Sequence, residues 1–326
     1  MNIVLFHLPS ASWESCTAAT NPRRANHVHG RTRRSQSPVR QEGEGGPAIR
    51  KSKVHVLAAA LVAMCLHSGT AHSNDWDDCF DGYDVATIIE ACSRIISSDH
   101  LQNWQRSMAL NNRGTALLQS GDLDGAEDNY TRALALDPHY SKAYYNRGTV
   151  RQRRGNLIGA VDDFTQALML DGEYVYAYHN RGVAYEKMGR YDQAIADFTS
   201  ALALQPDLYF ALNNRGVAYR KSGSSRRAIE DFDAAIAINS SYAKAYNNRA
   251  KANFDLKNDQ HAISDASRAI DLKPDFADAF YTRGRALERL GRFSEAIEDY
   301  RRTIALDPTN TAAQGDLQRL MRSDGH

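Results

Sequence analysis

Residues 84–97 (DVATIIEACSRIIS) place apolar groups at Val85, Ile88, Ile89, Cys92, Ile95 and Ile96, the stripe of a one-sided helix. From Ser107 to Asn310 the pattern then returns with a fixed step of 34 residues. Ala126, Ala160, Ala194, Ala228, Ala262 and Ala296 form one column; Tyr130, Phe164, Phe198, Phe232, Ala266 and Tyr300 form a second. Ala133, Ala167, Ala201, Ala235, Ala269 and Thr303 form a third. The same step carries Asn112-Arg113-Gly114 through the copies starting at Asn146, Asn180, Asn214 and Asn248 to Thr282-Arg283-Gly284. A period of this size marks a two-helix unit stacked into a solenoid, where each unit buries its apolar face against its neighbours.

Breakers divide each unit. In the third, the pattern predicts a helix over 175–188, a turn at Gly189-Arg190 and a second helix over 191–203. Gly121, Gly155, Gly189, Gly223 and Gly291 stand in register at that turn, because glycine takes the left-handed conformation of a helix C-terminus without strain. Pro138, Pro206, Pro274 and Pro308 end the second helices, with Gly172 and Ser240 as substitutes. The fifth unit departs most: Lys257 replaces the turn glycine and Ala266 the aromatic, which predicts the loosest joint. Residues 311–326 read as a closing helix and tail, with Leu317, Leu320 and Met321 facing the last unit.

On these columns, residues 107–310 resemble six tetratricopeptide repeats, with units 107–140, 141–174, 175–208, 209–242, 243–276 and 277–310. Residues 74–106 resemble a degenerate half-repeat acting as an N-terminal cap. The resemblance implies an all-α, right-handed α-solenoid superhelix whose first helices line an inner groove. It also implies an exported bacterial type of such protein once the leader is considered.

Residues 1–53 carry nine Arg or Lys against three Glu, and the rest of the chain 31 against 36, so the body has a net charge of −5 and gives no reason to expect nucleic acid as a partner. Residues 1–50 lack apolar periodicity and predict no fold. Basic Arg50, Lys51 and Lys53, the apolar run 54–66 and the small residues up to Ser73 have the order of an export signal, with cleavage before Asn74. Three readings stay open: translation starting downstream of Met1, an uncleaved anchor over 54–66 that would bring in the membrane, or an organelle transit segment. Cys65 invites a lipidation reading, which Met64 disfavours. Location is therefore expected to be periplasmic or secreted, or else membrane-anchored by 54–66. In an oxidising compartment Cys79 and Cys92 are expected to form a disulfide; two buried thiols are the alternative.

Function is sought in the columns. The resemblance implies that Asn112, Asn146, Asn180, Asn214 and Asn248 line one wall of the groove. A carboxamide both donates and accepts, as a peptide group does, so the column is a candidate ladder for an extended peptide; local packing of each amide is the alternative. Arg113, Arg147, Arg181, Arg215, Arg249 and Arg283 suggest anion binding, but Asp163, Asp197, Asp231, Asp265 and Asp299 recur at the same step. Structural ion pairs are the better reading, since the planar guanidinium engages a carboxylate through two bonds. In the inferred groove Lys142, Arg153, Lys187, Arg220, Lys221, Lys244, Lys251, Arg285 and Arg289 outnumber Glu186, Asp255, Asp278 and Glu288. With Tyr145, Tyr176, His179, Phe210 and Tyr281 they form a surface expected to hold an acidic partner segment. Solvation of an exposed face is the competing reading. The basic clamp for chaperone tails known in the family is not supported, because Tyr145 and His179 stand at its positions.

No Ser-His-Asp arrangement, phosphate-cradling loop, His-x-x-x-His or Cys-x-x-Cys occurs beyond the leader. His100, His139, His179 and His261 fall in different columns, so neither a metal nor another cofactor is expected. The reading is a non-catalytic scaffold that binds an extended, acidic protein segment. The alternatives are a spacer or self-associating element of an envelope assembly, or a regulatory subunit that docks an enzyme.

Overall fold

The computed structural model describes residues 74–323; the leader, with the proposed signal and Cys65, lies outside them. Fifteen helices and no strands occur among the described residues. A short helix α1 (74–81) precedes α2 (Val85–Ser97), whose N-cap Asp84 accepts a hydrogen bond from the Thr87 amide at 2.9 Å. Six helix pairs follow: α3 (Asn103–Ser120) with α4 (Leu123–Leu136), α5 (Ser141–Arg153) with α6 (Leu157–Leu170), and α7 (Val175–Lys187) with α8 (Tyr191–Leu204). Then come α9 (Tyr209–Lys221) with α10 (Ser225–Ile238), α11 (Ala243–Asp255) with α12 (Asp259–Leu272), and α13 (Ala277–Arg289) with α14 (Phe293–Leu306). Helix α15 (Thr311–Ser323) closes the series. The result is an all-α solenoid.

Each helix packs on the one before and the one after. The odd helices α3 to α13 also touch one another in sequence, so they form one wall and the even helices the other. Within a pair the spacing is set by a glycine on the odd helix and an aromatic ring on the even one. A Cβ added at Gly114, Gly148, Gly182, Gly216 or Gly284 would lie 2.6–2.9 Å from the ring of Tyr130, Phe164, Phe198, Phe232 or Tyr300. The fifth pair exchanges both partners together. Ala250 fills the glycine position, Ala266 the aromatic one, and both are fully buried.

The even helices stop two residues ahead of proline because the intervening residue is forced into extended backbone: φ is −137° at Asp137, −138° at Gln205, −144° at Lys273 and −136° at Asp307. Asp171 and Asn239 adopt the same conformation ahead of Gly172 and Ser240. At the turn inside the fifth pair Lys257 takes φ 62°, the left-handed region its equivalents occupy as glycine, and it does so at a strain cost of about 1 kcal/mol.

At the N-terminal end α1 and α2 enclose Cys79, Ala91, Cys92 and Ile95 against Ala109 of α3. The Cys79 and Cys92 sulfurs lie at disulfide distance, 2.06 Å. At the C-terminal end Leu320 is buried and Leu317 packs beside it on Tyr300 and Leu287. Met321, expected to face the last repeat, is instead half exposed.

Candidate peptide-binding groove

Five guanidinium–carboxylate pairs fix the two helices of a repeat. Arg147, Arg181, Arg215, Arg249 and Arg283 each reach the residue sixteen positions on (Asp163, Asp197, Asp231, Asp265, Asp299) through Nε and Nη2, at 2.6–3.0 Å. The aspartates are all but buried, while the arginines keep some solvent contact. The remaining nitrogen, Nη1, reaches back sixteen residues to Thr131, Thr165, Thr199, Asp233 or Ser267 on the preceding even helix. One side chain thus ties its own pair and joins it to the previous one. A ring one turn earlier (Tyr144, Tyr178, Tyr246 or Phe280) covers the guanidinium at 5.5–5.7 Å; Arg215, preceded there by Leu212, uses Tyr219 at 6.0 Å.

The aspartate hydrogen bonds raise the pKa of Arg181, Arg215, Arg249 and Arg283. Burial raises that of Asp299 despite Arg283. In the first repeat Arg113 meets neutral Asn129 at 2.8 Å and Ser93 at 2.9 Å, and burial without a carboxylate lowers its pKa.

The asparagine column does not point into open solvent. Each amide is committed to the residue 35 positions earlier, on the preceding odd helix. Asn146 donates to Asn111 Oδ1 at 2.9 Å, Asn180 to Tyr145 Oη at 3.0 Å, and Asn248 to Asn213 Oδ1 at 2.9 Å. Asn112, with only the cap before it, points at the Cys79 carbonyl at 3.4 Å. Asn214 donates to His179 Nε2 at 3.0 Å, which places the imidazole proton on Nδ1, where it is donated to Asn180 Oδ1 at 3.1 Å. With Asn213 donating to Asn214, an unbroken run of side-chain hydrogen bonds passes from Asn248 to Tyr145.

These contacts are those of the local-packing reading: one amide hydrogen of each carboxamide holds repeat to repeat. The run ends where the sixth repeat has Thr282, whose hydroxyl bonds the Asp278 carbonyl, and the buried Asn247 Oδ1 is left without a partner. Sequence reasoning missed the partner column Asn111, Tyr145, His179, Asn213, Asn247. Its signal was that every member can hydrogen-bond. Tyr145 and His179, expected as open aromatic surface, pack instead against Phe164 and Tyr174, and against Phe198 and Phe210.

Beside this seam runs a further stripe on the odd helices α5 to α11, exposed at Lys142 and Lys244 and partly buried elsewhere. It holds Lys142 and Thr149 on α5, Tyr176 and Val183 on α7, Phe210 and Val217 on α9, and Lys244 and Lys251 on α11. The acids of this wall are all engaged: Glu186 by Lys221 (2.6 Å), Asp255 by Arg220 (3.0 Å), Asp278 by Lys251 (2.5 Å) and Asn247 (2.8 Å), and Glu288 by Arg319 and Tyr300. Arg289 is held by Asp259 and, with Arg285, stacks on Phe254. Lys142, Arg153, Lys187 and Lys244 have no ion-pair partner among the described residues. Among those residues no cluster of His, Cys, Asp or Glu could hold a metal, and no helix is long and apolar enough to cross a membrane.

A stack of helix pairs with a repeating buried Arg–Asp clip and a lined inner wall defines a helical-repeat interaction scaffold. Family models described as tetratricopeptide repeat match residues 107–140, 175–208 and 277–310, and residues 213–275, together about half of the chain. The chain belongs to the tetratricopeptide repeat family. A tetratricopeptide repeat protein from Parabacteroides merdae has a similar structure (TM-score 0.60, 19% identity, covering 78% of this chain and 98% of that one). So do a chain of the APC/C hetero-tetramer Cut9-Hcn1 (0.59, 18%, 74% and 50%) and Pseudomonas aeruginosa pilF (0.57, 18%, 65% and 97%). At these identities the likeness is one of fold. No curated protein matches the sequence.

Two predictions follow from this geometry. Arg181→Gln leaves the Asp197 carboxylate, side chain 8% exposed, without its counter-charge, and denaturant unfolding is expected to show a loss of about 3 kcal/mol. The double variant Arg181→Gln/Asp197→Asn is expected to recover most of that loss; equal instability of single and double variants refutes the pairing. The second concerns His179, whose pKa burial lowers to about 4, against 6.5 in the unfolded chain. Between those values the unfolded chain takes up a proton that the folded one refuses. Stability therefore falls as pH drops from about 6.5 to 4, by about 3 kcal/mol from this group. His179→Gln is expected to remove that slope; identical pH profiles for the two proteins refute it.

Proposed function

We propose that this chain is a non-catalytic scaffold that holds an acidic segment of a partner protein in the groove of odd helices, gripping it by its side chains. One observation carries the reading: among the described residues every acid of the inner stripe is already paired, while Lys142, Arg153, Lys187 and Lys244 are not. A body of net −5 thus keeps a locally positive groove. Between these cations Val183 and Val217 add partly buried apolar surface suited to aromatic or aliphatic anchors. Main-chain capture by the asparagine column is not part of the proposal, since one donor of each amide is already spent between repeats.

Fluorescence anisotropy with two short labelled peptides, one mixing Asp and Glu with Leu and Phe, the other with Lys in place of the acids, tests it. The acidic peptide is expected to bind and the basic one not. Lys142→Glu/Lys187→Glu/Lys244→Glu is expected to weaken binding about tenfold or more with helix content unchanged, each rim charge contributing up to about 1 kcal/mol. Indifference to peptide charge, or full binding by the triple variant, overturns the reading.

Export is the second part of the proposal. The proximity of Cys79 and Cys92 supports a disulfide, and a disulfide persists in an oxidising compartment such as the periplasm or the exterior. Alkylation under denaturing, non-reducing conditions is expected to find both thiols blocked. Two free thiols refute it.

A further inference from the structure

Five of the six arginines in the column spend Nε and Nη2 on a carboxylate and Nη1 on the preceding even helix. Arg113, in the first repeat, keeps only two of these contacts: Nε donates to Asn129 Oδ1 at 2.8 Å and Nη1 to Ser93 Oγ at 2.9 Å. Its Nη2 has no acceptor among the described residues and is open to solvent. Asn129 Oδ1 stands in for the oxygen that meets Nε elsewhere, so Nδ2 takes the place of the second oxygen. That nitrogen, on a side chain only 4% exposed, gives one hydrogen to the Gly125 carbonyl at 2.8 Å and keeps the other. Donors of two side chains therefore meet where the other five copies have an acceptor.

The missing charge is not made good nearby. On α4 Asp124 and Glu127 are held by Arg154 and Arg151, and Asp128 by Arg132 at 3.5 Å; Asp122 caps that helix. On α2 Glu90 is held by Arg94. Leu110 and Leu117 stand where the other repeats supply the ring that covers the guanidinium, and no ring covers Arg113 among the described residues. Arg132, half exposed, adds a second cation; burial first, then this charge, lowers the Arg113 pKa.

We propose that the first repeat holds an anion site, in which a carboxylate or like oxyanion from outside the repeat accepts from Arg113 Nη2 and Asn129 Nδ2, with Arg132 beside it. Water can satisfy the hydrogen bonds but not the charge, and a charged acceptor makes the stronger bond. The oxyanion can belong to a protein, this chain's own leader included, or be free in solution. The site lies between α2, α3 and α4 and does not depend on the reading of the groove.

Acetate is the probe, titrated into the full chain in place of chloride at constant pH and ionic strength. The same titration is run on Glu14→Gln/Glu42→Gln/Glu44→Gln, which removes every carboxylate side chain of residues 1–73 as a hidden occupant. A saturating shift of the Arg113 Nε–Hε resonance is expected, with melting about 2 °C higher at saturation. Asn129→Asp supplies the carboxylate from within: it should melt higher than the unaltered chain in chloride and lose the response to acetate. Arg113→Gln should lose the melting response too. No response in either the unaltered chain or the triple variant overturns the proposal. So does an equal response in Asn129→Asp and Arg113→Gln, which would be a general effect of the salt. A short peptide with one Glu, its Gln counterpart as control, then separates the sources. Binding tighter than acetate assigns the site to a protein carboxylate, and binding no tighter assigns it to a free oxyanion.

Discussion

A guanidinium gripped by two carboxylate oxygens, once per helix pair, is the interaction on which the solenoid depends. Arginine is suited to it because its fork meets both oxygens of Asp163, Asp197, Asp231, Asp265 or Asp299 and still leaves a nitrogen for the preceding pair. The angle within a repeat and the step between repeats are therefore set by the same atom group. The aromatic ring beneath it and the glycine–ring approach beside it exclude water, which strengthens the pair and makes its loss costly. The first repeat, where Asn129 replaces the aspartate, falls back on Ser93 of the cap.

The inner wall is held by weaker, neutral bonds, and this decides what it can offer a partner. Each amide that links consecutive odd helices has one of its two N–H donors committed within the wall. Breaking one to bind would exchange one hydrogen bond for another and loosen the stack as well. On the stripe beside the seam, cross-repeat ion pairs have consumed the acids and left lysines at the rim. A protein of negative body can in this way present a locally positive face.

Much of this was legible in the sequence. The 34-residue step, the glycine at the odd-helix C-termini and the extended residue before each proline are local effects, governed by backbone sterics, and the helices fall within a residue or so of their expected ends. The Arg and Asp columns could be matched to each other because both repeat at one period. Lys257 was visible as an exception, and so was Ala266; their burial partner Ala250 was visible too, but the compensation needs both helices in place. Met321 went the other way, since one stripe on an amphipathic helix does not say how far round the covering surface extends.

By itself, then, the sequence determined the repeat, its helices and the residue types on each face, because these follow from periodicities of a few residues and from one long step. Only the tertiary structure decided where the asparagine amides go. Their partners lie 35 residues away, across a boundary between units, and a column of carboxamides reads the same whether it faces solvent or a neighbour. A hydrogen-bonding group specifies the kind of partner it requires; which partner reaches it first is a matter of how the helices are stacked.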